Sequence, residues 1–189
     1  MGVIFNAMIE FFEEDDWEFS WMEGLTALSM GFSGKHGKWM CYAQAREDQQ
    51  QFVFYSVCPM NAPEARRAAV SEFITRANYG MIIGNFEMDW TDGEIRYKTS
   101  IDVEGSQLTK PLVKQMVYAN VMILDRYLPG LMAMMYGSVS AVDEIAKIEN
   151  ADAVSSLPVE EPEVPVEADE DDYEDDDRTH PTLPRGPLP

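Results

Sequence analysis

Two cysteines, Cys41 and Cys58, and two histidines, His36 and His180, are the only thiols and imidazoles among 189 residues. They bound the nucleophilic, redox and metal chemistry open to the chain. A zinc site of the usual four-ligand kind would have to recruit His180 from the far C-terminal end. There is no C-x-x-C, H-E-x-x-H or G-x-S-x-G, and no phosphate-cradling glycine loop ending in Lys-Ser/Thr. His36 sits in the turn Gly34-Lys35-His36-Gly37 with no acid or nucleophile fixed near it in sequence, which reads as an exposed loop histidine rather than a base. A turn near Glu47-Asp48 would set Cys41 opposite a residue near Phe54, with Cys58 about four residues further along. At about 3.3 Å per residue that exceeds what a disulfide spans, so both are expected to be reduced, buried small hydrophobes.

Other residues admit a sharper and a plainer reading. Glu87, Asp89 and Arg96 could be an acid/base cluster, but cross-strand charge pairing accounts for them. Asn120 interrupts an apolar helical stripe and reads as a buried amide bonded to backbone or a neighbour; a polar specificity point in a helix contact is the alternative. Met132, Met134 and Met135 suit an adaptable groove or, more plainly, a core. The run Asp169–Asp177 lacks the spaced ligands and glycine of a calcium loop. The ending Pro181-Thr182-Leu183-Pro184-Arg185-Gly186-Pro187 could adopt a polyproline helix or be plain disordered chain. We therefore expect no catalytic residue, no cofactor-binding residue and no metal ligand, and no enzyme.

The elements that would hold these residues follow from periodicity. Val3, Ile4, Ala7, Met8, Phe11 and Phe12 make a helical stripe over 2–14. Trp17, Phe19 and Trp21 alternate with Glu18 and Ser20 as a short extended lead-in. Residues 25–33, 38–46 and 50–58 read as three strands joined by short turns, an antiparallel meander. Asn61-Ala62-Pro63-Glu64 is an N-cap pattern for a helix to Tyr79, with Ala69, Val70, Phe73 and Ala77 inward and Gly80 as a left-handed stop. Residues 81–90 and 94–102 form a hairpin about Asp92-Gly93. A two-residue type I′ turn there would pair Trp90 with Ile95, Met88 with Tyr97, Phe86 with Thr99 and Gly84 with Ile101 on an apolar face. It would pair Asp89 with Arg96 and Glu87 with Lys98 on the other. A long helix from Thr109-Lys110-Pro111 carries Leu112, Met116, Ile123 and Tyr127 on one stripe, kinked or interrupted at Pro129-Gly130. Ser140 and Asp143 cap a last helix to about Glu149. The order α-βββ-α-ββ-α-α is α+β, an antiparallel sheet packed by helices.

Charge divides the chain. Its 34 acidic and 14 basic residues give −20 overall. Residues 150–189 hold 13 of the acids, two bases and many prolines, for −11, leaving −9 on residues 1–149. Such a segment cannot bury enough surface to offset its ordering entropy, so a disordered acidic, proline-rich tail is expected beyond a folded domain 1–149. A nucleic-acid or anionic-lipid partner would need a positive surface. No apolar run is long enough to span a bilayer, and the N-terminus lacks the basic flank of a secretory signal. A cytoplasmic protein that binds neither nucleic acid nor membrane is expected.

Six stretches carry a resemblance: Trp39-x-Cys41; Phe52-Val53-Phe54-Tyr55-Ser56; Arg76-Ala77-Asn78-Tyr79-Gly80; Ile83-Gly84-Asn85-Phe86-Glu87; Asp92-Gly93-Glu94-Ile95-Arg96-Tyr97; and Asp125-Arg126-Tyr127-Leu128-Pro129. Over about residues 1–148 the chain resembles the YbjN family, described as bacterial sensory transduction regulators. The family's fold is similar to that of class I type III secretion chaperones, α-βββ-α-ββ-α. Those chaperones are small, acidic, non-enzymatic homodimers that hold an extended stretch of a partner protein. The resemblance thus implies a homodimeric, chaperone-like adaptor or regulator that binds a protein or extended peptide. It implies turn, packing and pairing roles for Asn78, Gly80, Gly84, Gly93 and Tyr97. The rival reading is a regulator acting through its acidic tail on a basic partner surface, in sensory transduction or transcription.

Overall fold

The computed structural model describes residues 2–155. In chain order these form α1 (Val3–Glu14), β1 (Phe19–Trp21), β2 (Ala27–Ser33), β3 (Lys38–Arg46), β4 (Gln51–Val57), α2 (Arg67–Tyr79), β5 (Asn85–Met88), β6 (Ile95–Asp102), α3 (Lys110–Tyr136) and α4 (Ala141–Ser155). The six strands make one antiparallel sheet in the order β1-β2-β3-β4-β6-β5. This is the expected α+β architecture with one strand more than the pattern gave. The lead-in around Phe19 pairs fully with β2, Phe19 opposite Met30 and Trp21 opposite Leu28.

One sheet face carries Leu28, Met30, Cys41, Ala43, Phe52, Phe54, Ile95 and Tyr97, all buried beneath the helices. Burying a large apolar side chain contributes about 1.5–3 kcal/mol, so this layer dominates folding. α1 is anchored from outside itself. Its N-cap, Gly2, has no side chain to offer, and Glu47 in the β3–β4 turn accepts the N–H groups of Ile4 and Phe5 at 3.3 and 2.8 Å. The carboxylate answers both the unpaired donors and the positive helix end. The other end closes as a Schellman turn: Asp16 takes φ 55° and Trp17 N–H reaches Phe12 O at 2.9 Å, with the two rings edge-on at 5.6 Å.

Several boundaries differ from expectation, each for a local reason. α2 begins at Arg67 after a 3₁₀ turn over Glu64–Arg66, and Asn61 does not cap it. Asn61 instead donates to Asp92 O at 3.3 Å. Gly80 closes α2 at φ −99°, without the left-handed turn. The hairpin register is displaced by two residues: Met88 faces Ile95, Phe86 faces Tyr97 and Glu87 faces Arg96. A type I′ turn needs positive φ at both central residues, and only Gly93 has it, at 80°. The acids build a longer loop instead. Asp89 Oδ1 accepts Thr91 N–H at 2.7 Å, and Asp92 Oδ1 accepts Glu94 N–H at 2.9 Å. An even displacement keeps every side chain on its expected face. α4 extends to Ser155, past the expected Glu149. The remainder of the expected disordered tail, with His180, Asp169–Asp177 and the proline-rich ending, lies outside the described residues.

α3 runs unbroken through Pro129. Proline cannot donate, so the carbonyl of Asp125, four residues back, loses its helical partner. His36 replaces it, with Nδ1 2.9 Å from Asp125 O. A carbonyl only accepts, so Nδ1 carries the proton. The Asp125 carboxylate in turn accepts the backbone N–H groups of Lys35 and His36 at 3.0 and 2.8 Å. The β2–β3 turn is thereby clipped to the helix where proline left a gap. Replacing His36 by alanine should cost about 1 kcal/mol, the net value of one such bond. In a Pro129→Ala background the new N–H can serve Asp125 O, so the same substitution should cost clearly less. Urea unfolding of the four-member cycle measures the coupling; strict additivity would mean that His36 acts without regard to the proline.

Candidate interaction surface

The residues that could have done chemistry are placed where they do structural work. Cys41 lies opposite Ser56, two residues on from the expected Phe54, with its Sγ 3.3 Å from Ser56 Oγ. Cys58 is then two residues further, an α-carbon separation of roughly 8 Å, and both thiols are free and buried. Burial pushes the Cys41 thiol up to about 11 and raises that of Cys58. At pH 8 only about one Cys41 in a thousand would be a thiolate. A thiol reagent should therefore leave the native protein unmodified and find two thiols after unfolding without reductant; a recovered disulfide would contradict the register.

Glu87 joins Arg96, at 2.8 Å, and Lys98 on the solvent side of the sheet. Burial pushes its carboxyl up, and the two cations hold it below its ordinary value nonetheless. Asp89 is occupied in its own turn. The backbone N–H of Thr91 holds that carboxyl below its usual range. Asn120 is fully buried, and the two hydrogens of its Nδ2 are shared among Phe54 O, Tyr97 O and Thr99 Oγ1 at 3.0–3.2 Å. It ties α3 to the junction of β4 and β6, the buried-amide reading. Met134 and Met135 are core, and Met132 packs against it. Trp17 and Trp39 also pack inside, leaving Trp21 and Trp90 about half exposed.

The apolar surface lies elsewhere. Strand β5 starts only at Asn85, so Met81–Gly84 is a loop rather than the strand beginning expected there. Tyr79 and Ile82 on either side of Gly80 are almost fully exposed, and Met122 on α3 is two-thirds exposed. Between this loop, α3 and α4 runs a groove of about 540 Å³ lined by Met81, Ile82, Ile83, Met122, Ile123 and Tyr127 among others. A second groove of about 500 Å³, with Tyr79, Val142 and Ile145 in its walls, lies between α2 and α4. Exposed apolar residues gathered around a depression mark a contact site more often than isolated ones do. The loop is tied to the sheet at its C-terminal end. Tyr97 OH donates to Ile83 O, and Gly84 takes φ 81° beneath it. Met122 could have been found in the sequence, since it falls off the buried stripe of α3. Ile82 could not, because Met81-Ile82-Ile83 also reads as strand.

The two edges of the sheet are unequal. Asn78 of α2 accepts Phe86 N–H at 2.7 Å and donates to Phe86 O at 3.0 Å, so a side chain takes the place of a neighbouring strand along β5. The outer edge of β1 carries no such side-chain bond among the described residues. No helix among the described residues is long and apolar enough to cross a membrane, and no group of three His, Cys, Asp or Glu there could hold a metal.

Comparison with known proteins accords with this fold. No curated protein sequence matches the chain. The crystal structure of YbjN, a putative transcription regulator from E. coli, aligns with a TM-score of 0.50 and 9% identity, over 67% of this chain and 92% of that one. The ExsC–ExsE complex aligns with a TM-score of 0.48 and 12% identity, over 69% and 97%. The HopA1–SchA chaperone–effector complex aligns at 0.42 and 9%, over 66% and 91%. The family profile of YbjN, "Putative bacterial sensory transduction regulator", matches residues 6–132, well over half of the chain. By that match the chain belongs to the YbjN family.

Proposed function

We propose that this chain is a non-enzymatic protein- or peptide-binding module of the cytoplasm, a chaperone-like adaptor or regulator that works as a homodimer. The observation that carries the reading is the apolar face around the α3 groove, where Tyr79, Ile82 and Met122 stand in solvent on an otherwise acidic domain. Hiding such a face against protein recovers the apolar transfer free energy that solvent exposure forfeits. The regulatory description of the family and the purely structural roles of Cys41, His36, Glu87 and Asp89 support a binding role over a catalytic one.

A photo-crosslinking side chain at Ile82, in cells of the native host, tests it. Adducts are expected with a second copy and with a discrete partner, and both should persist in a 1–155 form. That form should also unfold as cooperatively as the full chain, since the apolar layers described above lie within it. Absence of adducts would refute the binding face. Adducts that vanish with residues 156–189 would favour the rival in which the acidic tail engages a basic surface.

A further inference from the structure

We propose that the free edge of β1 accepts an extended, basic strand from a partner, adding a seventh strand to the sheet. The proposal deepens the binding-module reading and rests on it, but it names a different surface from the groove. Met22, one residue past the last ladder pair Trp21–Leu28, donates to Ala27 O at 3.0 Å while its own carbonyl accepts Leu25 N–H at 3.1 Å, so Met22 turns its N–H toward β2. Antiparallel pairs alternate between bonded and non-bonded. Ser20 therefore turns its backbone groups to β2, and Phe19 and Trp21 turn theirs to the free edge. These are unpaired donors and acceptors at strand spacing, the template used in strand addition. The opposite edge is unavailable at its centre, because Asn78 already bonds both backbone groups of Phe86.

Charge selects the occupant. None of the first 34 residues is basic, and seven are acidic. Glu10, Glu14 and Asp15 pair with Lys110 and Lys114, leaving four exposed acids without a basic partner among the described residues, Glu13, Asp16, Glu18 and Glu23, of which Glu18 and Glu23 stand on either side of β1. An acidic or neutral strand would bring no compensation to these carboxylates, whereas lysines or arginines on the incoming strand would sit between them. Trp21 and Leu25, both more than half exposed, offer apolar contact to alternate side chains. The occupant is thus a segment that alternates apolar and basic residues.

The probe is a capped twelve-residue peptide of alternating valine and lysine, added to the full chain. Hydrogen exchange followed by NMR should show the amides of Phe19 and Trp21 slowed at least tenfold. The Glu18→Lys/Glu23→Lys variant should bind at least tenfold more weakly. The same peptide with its backbone nitrogens methylated keeps its charge and side chains, and should lose at least tenfold as well. Equal binding of the methylated peptide would mean attraction to acidic chain rather than strand pairing, and would overturn the proposal. So would protection of the Ile82 region in place of β1, an outcome that leaves the groove reading standing. Failure of the Ile82 crosslink with β1 protection intact would sink the groove reading and spare this one. A glutamate-for-lysine peptide that protects β1 equally would remove the charge selection and with it the proposed partner class.

Discussion

Replacing Gly93 by alanine is expected to cost the domain about 3 kcal/mol, enough to unfold a large share of a marginally stable protein. Two effects add. The residue has φ 80°, where an L side chain loses about 1–2 kcal/mol. A Cβ there would also lie 2.2 Å from Ala62 O and 3.1 Å from Ala62 C and N, backbone atoms that cannot swing away. The loop is stitched at that point. Gly93 O accepts Ala62 N–H at 2.8 Å, Arg67 donates to Trp90 O at 2.9 Å and to Ala62 O at 3.3 Å, and Asn61 donates to Asp92 O. Moving the loop to admit a methyl group loosens all of these together. Gly105 supplies the control, with φ 72° and open space where its Cβ would point. Gly105→Ala should show only the backbone cost, about 1–2 kcal/mol. Urea unfolding of both variants measures the difference. Equal costs would mean that the Ala62 contact yields freely.

The same loop shows what could be read from residue types and what could not. Alternation alone placed Phe86, Met88, Ile95 and Tyr97 on one face and Glu87, Arg96 and Lys98 on the other, because an even displacement of register preserves faces. The register itself depended on whether Asp92-Gly93 turned by two residues or by more. Asp89-Trp90-Thr91 and Asp92-Gly93-Glu94 each form an Asx turn, a local signal present in the sequence but outweighed there by the Asp-Gly pair. Pro129 is the converse. Its effect on α3 was judged from the helix alone, while the group that repairs it, His36, stands 89 residues before Asp125 in the chain. No local pattern connects the two. Asn120, by contrast, was legible as a buried amide bonded to backbone, and its Nδ2 does meet the carbonyls of Phe54 and Tyr97. Asn78 was one of five positions to which the family resemblance gave turn, packing and pairing roles without distinguishing them, and its bonds to both backbone groups of Phe86 show which role it has. The apolar face was barely legible: Met132, Met134 and Met135, the residues that suited a groove, were consumed by the core, and the face is built instead by Tyr79, Ile82 and Met122.

If two copies meet through that face, added salt should tighten the dimer. Each domain brings −9 and each acidic segment −11, so like charge opposes association at every separation within a Debye length. That length falls from about 10 Å at 0.1 M salt to about 3 Å at 1 M, which removes repulsion and leaves apolar burial unscreened. An interface held by ion pairs would respond in the opposite sense. Ile82 and Met122 flank the groove without contributing to the buried core, so charging them should spare the fold while placing a carboxylate in the contact. An Ile82→Asp or Met122→Asp change is expected to weaken dimerisation about a hundredfold, corresponding to roughly 2.7 kcal/mol, the scale of an interface hot spot. A two-fold contact presents each residue twice, which makes the penalty larger than a single site would give. Sedimentation equilibrium of the wild-type chain and both variants, at 0.05 and 0.5 M salt, measures the two effects together. A strict monomer at high micromolar concentration in both salts would remove the dimer. A dimer that dissociates as salt rises would assign its stability to charge pairs instead of to Ile82, Met122 and their apolar surroundings.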